Sequence, residues 1–173
     1  MALRFQNQTM RASWWDYSNS GTYFITICTK NKSRFFGKIQ EGEIQLSEVG
    51  VIALEEWLNT KELRQRMRVE LHQFVVMPDH FHALITIGES EFNGKNQNVT
   101  ELGSIKNNEF KSQSNNLASV VRGFKSAVTT RCKKLGIEFQ WQSRYHDIIV
   151  RNSEQFERIE KYIRDNPQNY KSK

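Results

Sequence analysis

LHQFVVMPDHFHALITI, residues 71–87, decides the fold of this 173-residue chain. Two runs of apolar, β-branched and aromatic residues, 71–77 and 80–87, flank Pro78-Asp79, a pair suited to a short turn. The stretch therefore predicts two antiparallel strands joined by that turn. Alternate side chains of a strand share a face, so His80 and His82 project together while Phe81 points the other way.

Upstream, TYFITICT (residues 22–29) predicts a buried strand, and residues 36–40 and 43–46 flank Glu41-Gly42 as a tight hairpin. Ser47 offers an N-cap to a helix carrying Val49, Ile52, Ala53 and Trp57 and ending near Asn59, followed by a basic connector at 61–68. Downstream, residues 89–116 are rich in asparagine and predict a mobile insertion rather than a second domain. Residues 117–135 read as a helix bearing Arg122, Lys125, Arg131, Lys133 and Lys134 with no acid. A strand at 145–150 follows. The last helix has a capping pair at Asn152 and Gln155, an apolar stripe of Phe156, Ile159 and Ile163, and Pro167 as its stop. Without the hairpin and the last helix, the order is strand, helix, strand, strand, helix, strand. That is an α+β, ferredoxin-like split βαβ sandwich: an antiparallel sheet with helices on one face and the other face free for a ligand. Fold alone assigns no chemistry.

The length suits one domain with a core that needs no disulfides. Cys28 and Cys132 stand far apart without metal-finger spacing, and Cys28, in an apolar run, is expected to be a buried thiol. A net charge of +6 and a pI near 9.4 favour an anionic partner, nucleic acid being the commonest. No leader-like or membrane-length apolar run occurs in the sequence, so a cytoplasmic protein without a membrane partner is expected.

On spacing alone, His80 and His82 fit half of a metal site or a solvated strand face. Tyr162 and Asn166, four apart, share a face of the last helix. Either Asn166 supplies a third ligand while Tyr162 reaches the substrate, or Tyr162 is a core-edge aromatic and Asn166 a helix C-cap.

Several blocks raise the first reading: Asp16-Tyr17-Ser18 leading into TYFITICTKNKSRFFGKI, then FVVMPDHFHALI, VVRGFKSAVTTR, WQSRYHDIIVRN and IEKYIRDNP. In this order the chain resembles the REP-associated branch of the single-tyrosine HUH transposases, over nearly its whole length outside the insertion. The resemblance implies that His80 and His82 bind a divalent ion, magnesium or manganese, with Asn166 as polar ligand and Tyr162 as nucleophile. It implies a metal-dependent endonuclease and strand transferase acting on single-stranded or hairpin DNA at REP-like palindromes through a 5′-phosphotyrosine, with no organic cofactor. Asp79, where most relatives carry asparagine, and Ile148, where they often carry a polar residue, are departures from the pattern.

DNA contacts are expected from Arg122, Lys125 and Arg131 on the basic helix, from Trp141 and Arg144, and from Arg11, Trp14 and Trp15 in an N-terminal segment (1–20) of the single domain 1–173. His72 and His146 fit structural polar contacts. Two other classes stay open. One is a non-transposing DNA-binding protein, a repressor or architectural factor on the same fold; the other is a metal hydrolase of small phosphodiesters. Oligomeric state is open between monomer and homodimer.

Overall fold

β-Branched and aromatic side chains dominate Gly21–Thr29, which forms β1, a central strand of the main sheet. The structure is a computed structural model and describes residues 20–88 and 116–170. The expected N-terminal DNA-contacting residues Arg11, Trp14 and Trp15, and insertion residues 89–115, lie outside them. After β1 come β2 (Gly37–Gln40) and β3 (Glu43–Leu46), paired as a two-stranded hairpin. Its turn places both Glu41 and Gly42 at positive φ, 54° and 80°. A two-residue hairpin loop needs that backbone, and glycine supplies half of it without steric cost.

Helix α1 (Glu48–Leu63) starts where Ser47 Oγ accepts from the Gly50 amide at 3.1 Å. It runs past the expected end near Asn59, because Lys61, Glu62 and Leu63 are good helix formers and no glycine or proline interrupts them. The connector shrinks to a 3-10 turn at Gln65–Met67, which buries Met67. β4 (Val69–Val76), β5 (His80–Ile87), α2 (Leu117–Lys134), β6 (Trp141–Val150) and α3 (Ser153–Asn169) complete the chain order. Asn116, expected at the end of the insertion, is instead folded. It is buried, and its side chain and that of Ser119 cap α2 reciprocally.

The main sheet runs β4-β5-β1-β6, with every neighbouring pair antiparallel. This is the ferredoxin-like split βαβ arrangement, carrying the early hairpin and the C-terminal helix as additions. β6 begins at Trp141, earlier than the expected Tyr145. Gln142, Ser143 and Arg144 are exposed on this strand, so their polarity conceals it in the sequence.

β5 divides its side chains between the faces. Phe81, Ala83, Ile85 and Ile87 enter the main core under α1 and α2. There Phe81 packs on Trp57 of α1 and Phe124 of α2 with ring centroids 5.0 and 5.2 Å apart, and those two rings lie 5.2 Å from each other. His80, His82 and Leu84 point to the opposite face, with Phe24 and Thr26 of β1.

That second face is not free, as expected from the sequence, but half covered. The apolar stripe of α3 must be buried, and α1 and α2 already occupy the first face. Ile163, fully buried, joins Phe24 and Leu84 in a small second core flanked by Val75, Val150, Phe156 and Ile159. The stripe of Phe156, Ile159 and Ile163 is the expected one. α3 does not stop at Pro167 but continues to Asn169, because proline's fixed φ is helical and its ring removes only one rung of the last turn. Towards β6 the second face stays open among the described residues: Arg144, His146 and Ile148 are all exposed.

Candidate active site

The turn that carries the histidines is held from three sides. The Thr29 amide and Oγ1 both donate to the Asp79 carbonyl, at 3.0 and 2.9 Å, and the Phe36 amide donates to that of Pro78 at 3.0 Å. The Met77 amide closes the turn on the His80 carbonyl at 2.8 Å. No backbone slack is left where β5 begins.

His80 and His82 then lie side by side, ring centroids 4.5 Å apart. His80 Nδ1 donates to Asp79 Oδ1 at 2.6 Å. Burial works against the charged form of Asp79, but the hydrogen bond and charge of His80 outweigh it and the carboxyl lies below its ordinary range. A carboxylate only accepts, so His80 donates through Nδ1, and Nε2 is the ring nitrogen left for another partner. His82 Nδ1 lies 2.8 Å from Thr26 Oγ1, and the ring also hydrogen-bonds the Ile25 carbonyl. Both partners belong to β1, the strand paired with β5. Burial, then the neighbouring His80, pushes the His82 pKa down to about 3, so this ring is neutral at physiological pH.

α3 brings a phenol over the pair. Tyr162 is half exposed, its ring 5.5 Å from His82 and 6.0 Å, edge-on, from Phe24, which itself stacks on His82 at 5.2 Å. An open cleft of about 490 Å³ is walled by His80, Tyr162, Asn166 and Tyr170, with Arg158 and Lys161 adding positive charge and Asp165 a negative one. Asn166 does not cap the helix, since Tyr170 stands at that position. Among the described residues no three His, Cys, Asp or Glu side chains gather as a metal cluster. An ion here would rest on the two imidazoles together with amide or phosphate oxygens.

Three of the expected DNA contacts are engaged within the fold. Arg131 bonds Glu55 at 2.7 Å and Glu56 at 2.9 Å, tying α2 to α1. Lys125 Nζ donates to the Gln142 carbonyl at 2.6 Å and lies 5.8 Å from the Trp141 ring, and burial lowers its pKa. Trp141 is a core aromatic: it packs on Phe36, Phe124 and Phe139 and donates its indole N–H to the Lys125 carbonyl at 3.1 Å. Arg122 and Arg144 are exposed.

His146 is exposed and pairs across the sheet with Thr26, beside the site. His72 is structural, its Nε2 2.7 Å from Thr86 Oγ1 and its ring edge-on to Phe156. Cys28 is only partly buried, opposite His80, because it points to the half-covered face. Sequence reasoning missed Thr26, Arg158, Lys161 and Tyr170. Of these, Arg158, one turn before Tyr162, and Tyr170, two turns beyond it, carry a local signal.

An uncharacterized protein of Haemophilus influenzae is 34% identical over 161 residues, 92% of this chain and 87% of that protein. The chain belongs to that protein's family. No family model matches it. Among solved structures, a REP-associated tyrosine transposase bound to a REP hairpin superposes with a TM-score of 0.60 over 90% of this chain and 71% of that one, at 20% identity. The two share a fold, as the sequence blocks suggest. Among the described residues no helix is long and apolar enough to cross a membrane.

Proposed function

We propose that the protein is a transposase-like, metal-dependent endonuclease and strand transferase that cuts single-stranded DNA beside hairpin-forming palindromes. The reading is carried by one observation: His80, His82 and Tyr162 meet on one face of the sheet, contributed by two separate elements. Neither DNA binding alone nor hydrolysis of a small phosphodiester calls for a phenol at that place.

His80 and His82, each with Nδ1 occupied, would hold a divalent ion through Nε2, and Asn166 would add its amide oxygen. The mixed nitrogen and oxygen donors suit manganese or magnesium once phosphate oxygens join them. Such an ion, when bound, neutralises charge on the scissile phosphate and aligns it. Tyr162 Oη attacks phosphorus, the phosphorus–O3′ bond breaks, and the phenolic proton leaves to water. The products are a 5′-phosphotyrosine on Tyr162 and a DNA strand ending in a 3′-hydroxyl, which takes up a proton. Attack by another 3′-hydroxyl on the same phosphorus reverses the step and joins a new strand.

Arg122 and Arg144 would contact phosphates, and the open half-face beside β6 gives a strand a path to the histidines. Arg11, Trp14 and Trp15 are proposed to grip the hairpin base. The solved neighbour of the same fold is bound to a REP hairpin, which supports hairpin DNA as partner.

The test is a denaturing gel of a labelled hairpin oligonucleotide incubated with protein and manganese. A covalent adduct is expected from the wild type, lost in Tyr162→Phe with hairpin binding retained, and lost in His80→Ala. An adduct persisting in Tyr162→Phe would refute the assigned nucleophile. Binding without cleavage would favour the repressor or architectural reading.

A further inference from the structure

The cleft holds a second phenol that the proposed reaction does not use. Tyr170, at the C-terminal cap of α3, lines the cleft with its ring 6.4 Å from that of His80, and its phenol faces the Asp79 carboxylate and the Arg34 guanidinium. Asp79 thus accepts from His80 on β5 and faces the phenol at the end of the helix that carries Tyr162.

We propose that Tyr170 is a positioning residue, latching the end of α3 to Asp79 so that one carboxylate orients His80 and also fixes where Tyr162 stands; its catalytic consequence rests on the function proposed above. The remaining attachment of α3 is slight. Among the described residues its second core has three buried side chains, one of them from the helix, and the other apolar residues of α3 that pack on it, Phe156 and Ile159, are only partly buried. Its last turn lacks the rung that Pro167 cannot donate, has no basic residue to complement its carbonyls, and ends on a long Tyr170-to-Pro167 backbone bond of 3.5 Å. Eight residues separate Tyr162 from Tyr170, about 12 Å along a helix. Loosening one end therefore displaces the other, and a misplacement of about 1 Å can lower a reaction rate by about 10²-fold.

Two readouts test the latch. In the protein without metal or DNA, Tyr170→Phe should speed hydrogen exchange of the amides at residues 163–166 and 168–170 about tenfold or more, with α1 and α2 unchanged. Asp79→Asn, which keeps an acceptor oxygen, should preserve that protection, and Asp79→Ala should lose it. With hairpin and manganese, Tyr170→Phe should slow single-turnover adduct formation about tenfold or more at unaltered hairpin Kd, and should slow it no further in an Asp79→Ala background. Unchanged exchange in Tyr170→Phe, or additive rate effects in the double variant, would overturn the proposal. A wild type that forms no adduct while Tyr170→Phe still loosens α3 would keep the latch and discard the nuclease reading.

Discussion

Thr26 Oγ1 lies 2.8 Å from His82 Nδ1, so a strand partner 56 residues away sets the orientation of this imidazole. Thr26→Val removes the hydroxyl at nearly constant shape. Loss of such an outer partner lowers metal affinity about 10–100-fold in metal sites. The manganese concentration giving half-maximal adduct formation should rise by that factor, while hairpin binding stays as it was and stability falls by about 1 kcal/mol. An unmoved manganese midpoint would remove Thr26 from the site.

The buried neutral state of His82 makes the fold acid-sensitive in a defined window. Its pKa is about 3 in the folded protein against an ordinary 6.5, so below pH 6.5 the unfolded chain takes up a proton that the native ring refuses. Stability therefore falls as pH drops from 6.5 towards 3, by up to about 1.4 kcal/mol per pH unit from this group. Thermal melts of the wild type and of His82→Gln across that range should differ in slope, the variant being less pH-dependent. Equal slopes would contradict the burial argument.

Ile163 is the fully buried residue of α3 and its main hydrophobic fastening. Ile163→Ala should destabilise the protein by about 2–5 kcal/mol. Because the helix carries Tyr162, adduct formation should suffer more than hairpin binding. A binding loss as large as the cleavage loss would mean that α3 contributes mainly to DNA affinity.

Arg131 and Arg144 separate structural from DNA-contacting charge. Arg131 is neutralised by Glu55 and Glu56, and this partly exposed, screened network contributes at most about 1 kcal/mol. Arg131→Ala should leave the dependence of hairpin affinity on salt unchanged. Arg144→Ala should weaken hairpin binding and reduce the slope of log K against log salt by about 1. The reverse pattern would relocate the DNA path to the α1–α2 side.

Much of this fold could be read from the chain because its patterns are local. The alternation in residues 80–87, the Ser47 cap and the stripe of Phe156, Ile159 and Ile163 each identify an element within a few residues. What escaped was tertiary. Nothing near Trp141 reveals that it enters an aromatic core, nor that Arg131 finds acids on another helix. Likewise the His80 and His82 pair and Tyr162 stand out in sequence, whereas Thr26 and Tyr170 acquire their partners only when strands and helix meet. The covering of the second face followed from a stripe already visible, since an apolar surface on α3 had nowhere else to go.

β5 serves two masters, sending odd-numbered residues into the main core and even-numbered ones to the histidine face. Sliding it by one position against β1 would exchange Phe81 for His82 beneath Trp57 and bury imidazoles among hydrocarbon. Any sequence that folds at all must therefore present both histidines on the outer side, in fixed mutual geometry. The imidazole pair inherits its rigidity from the domain itself, and what is left to adjust is the approach of α3.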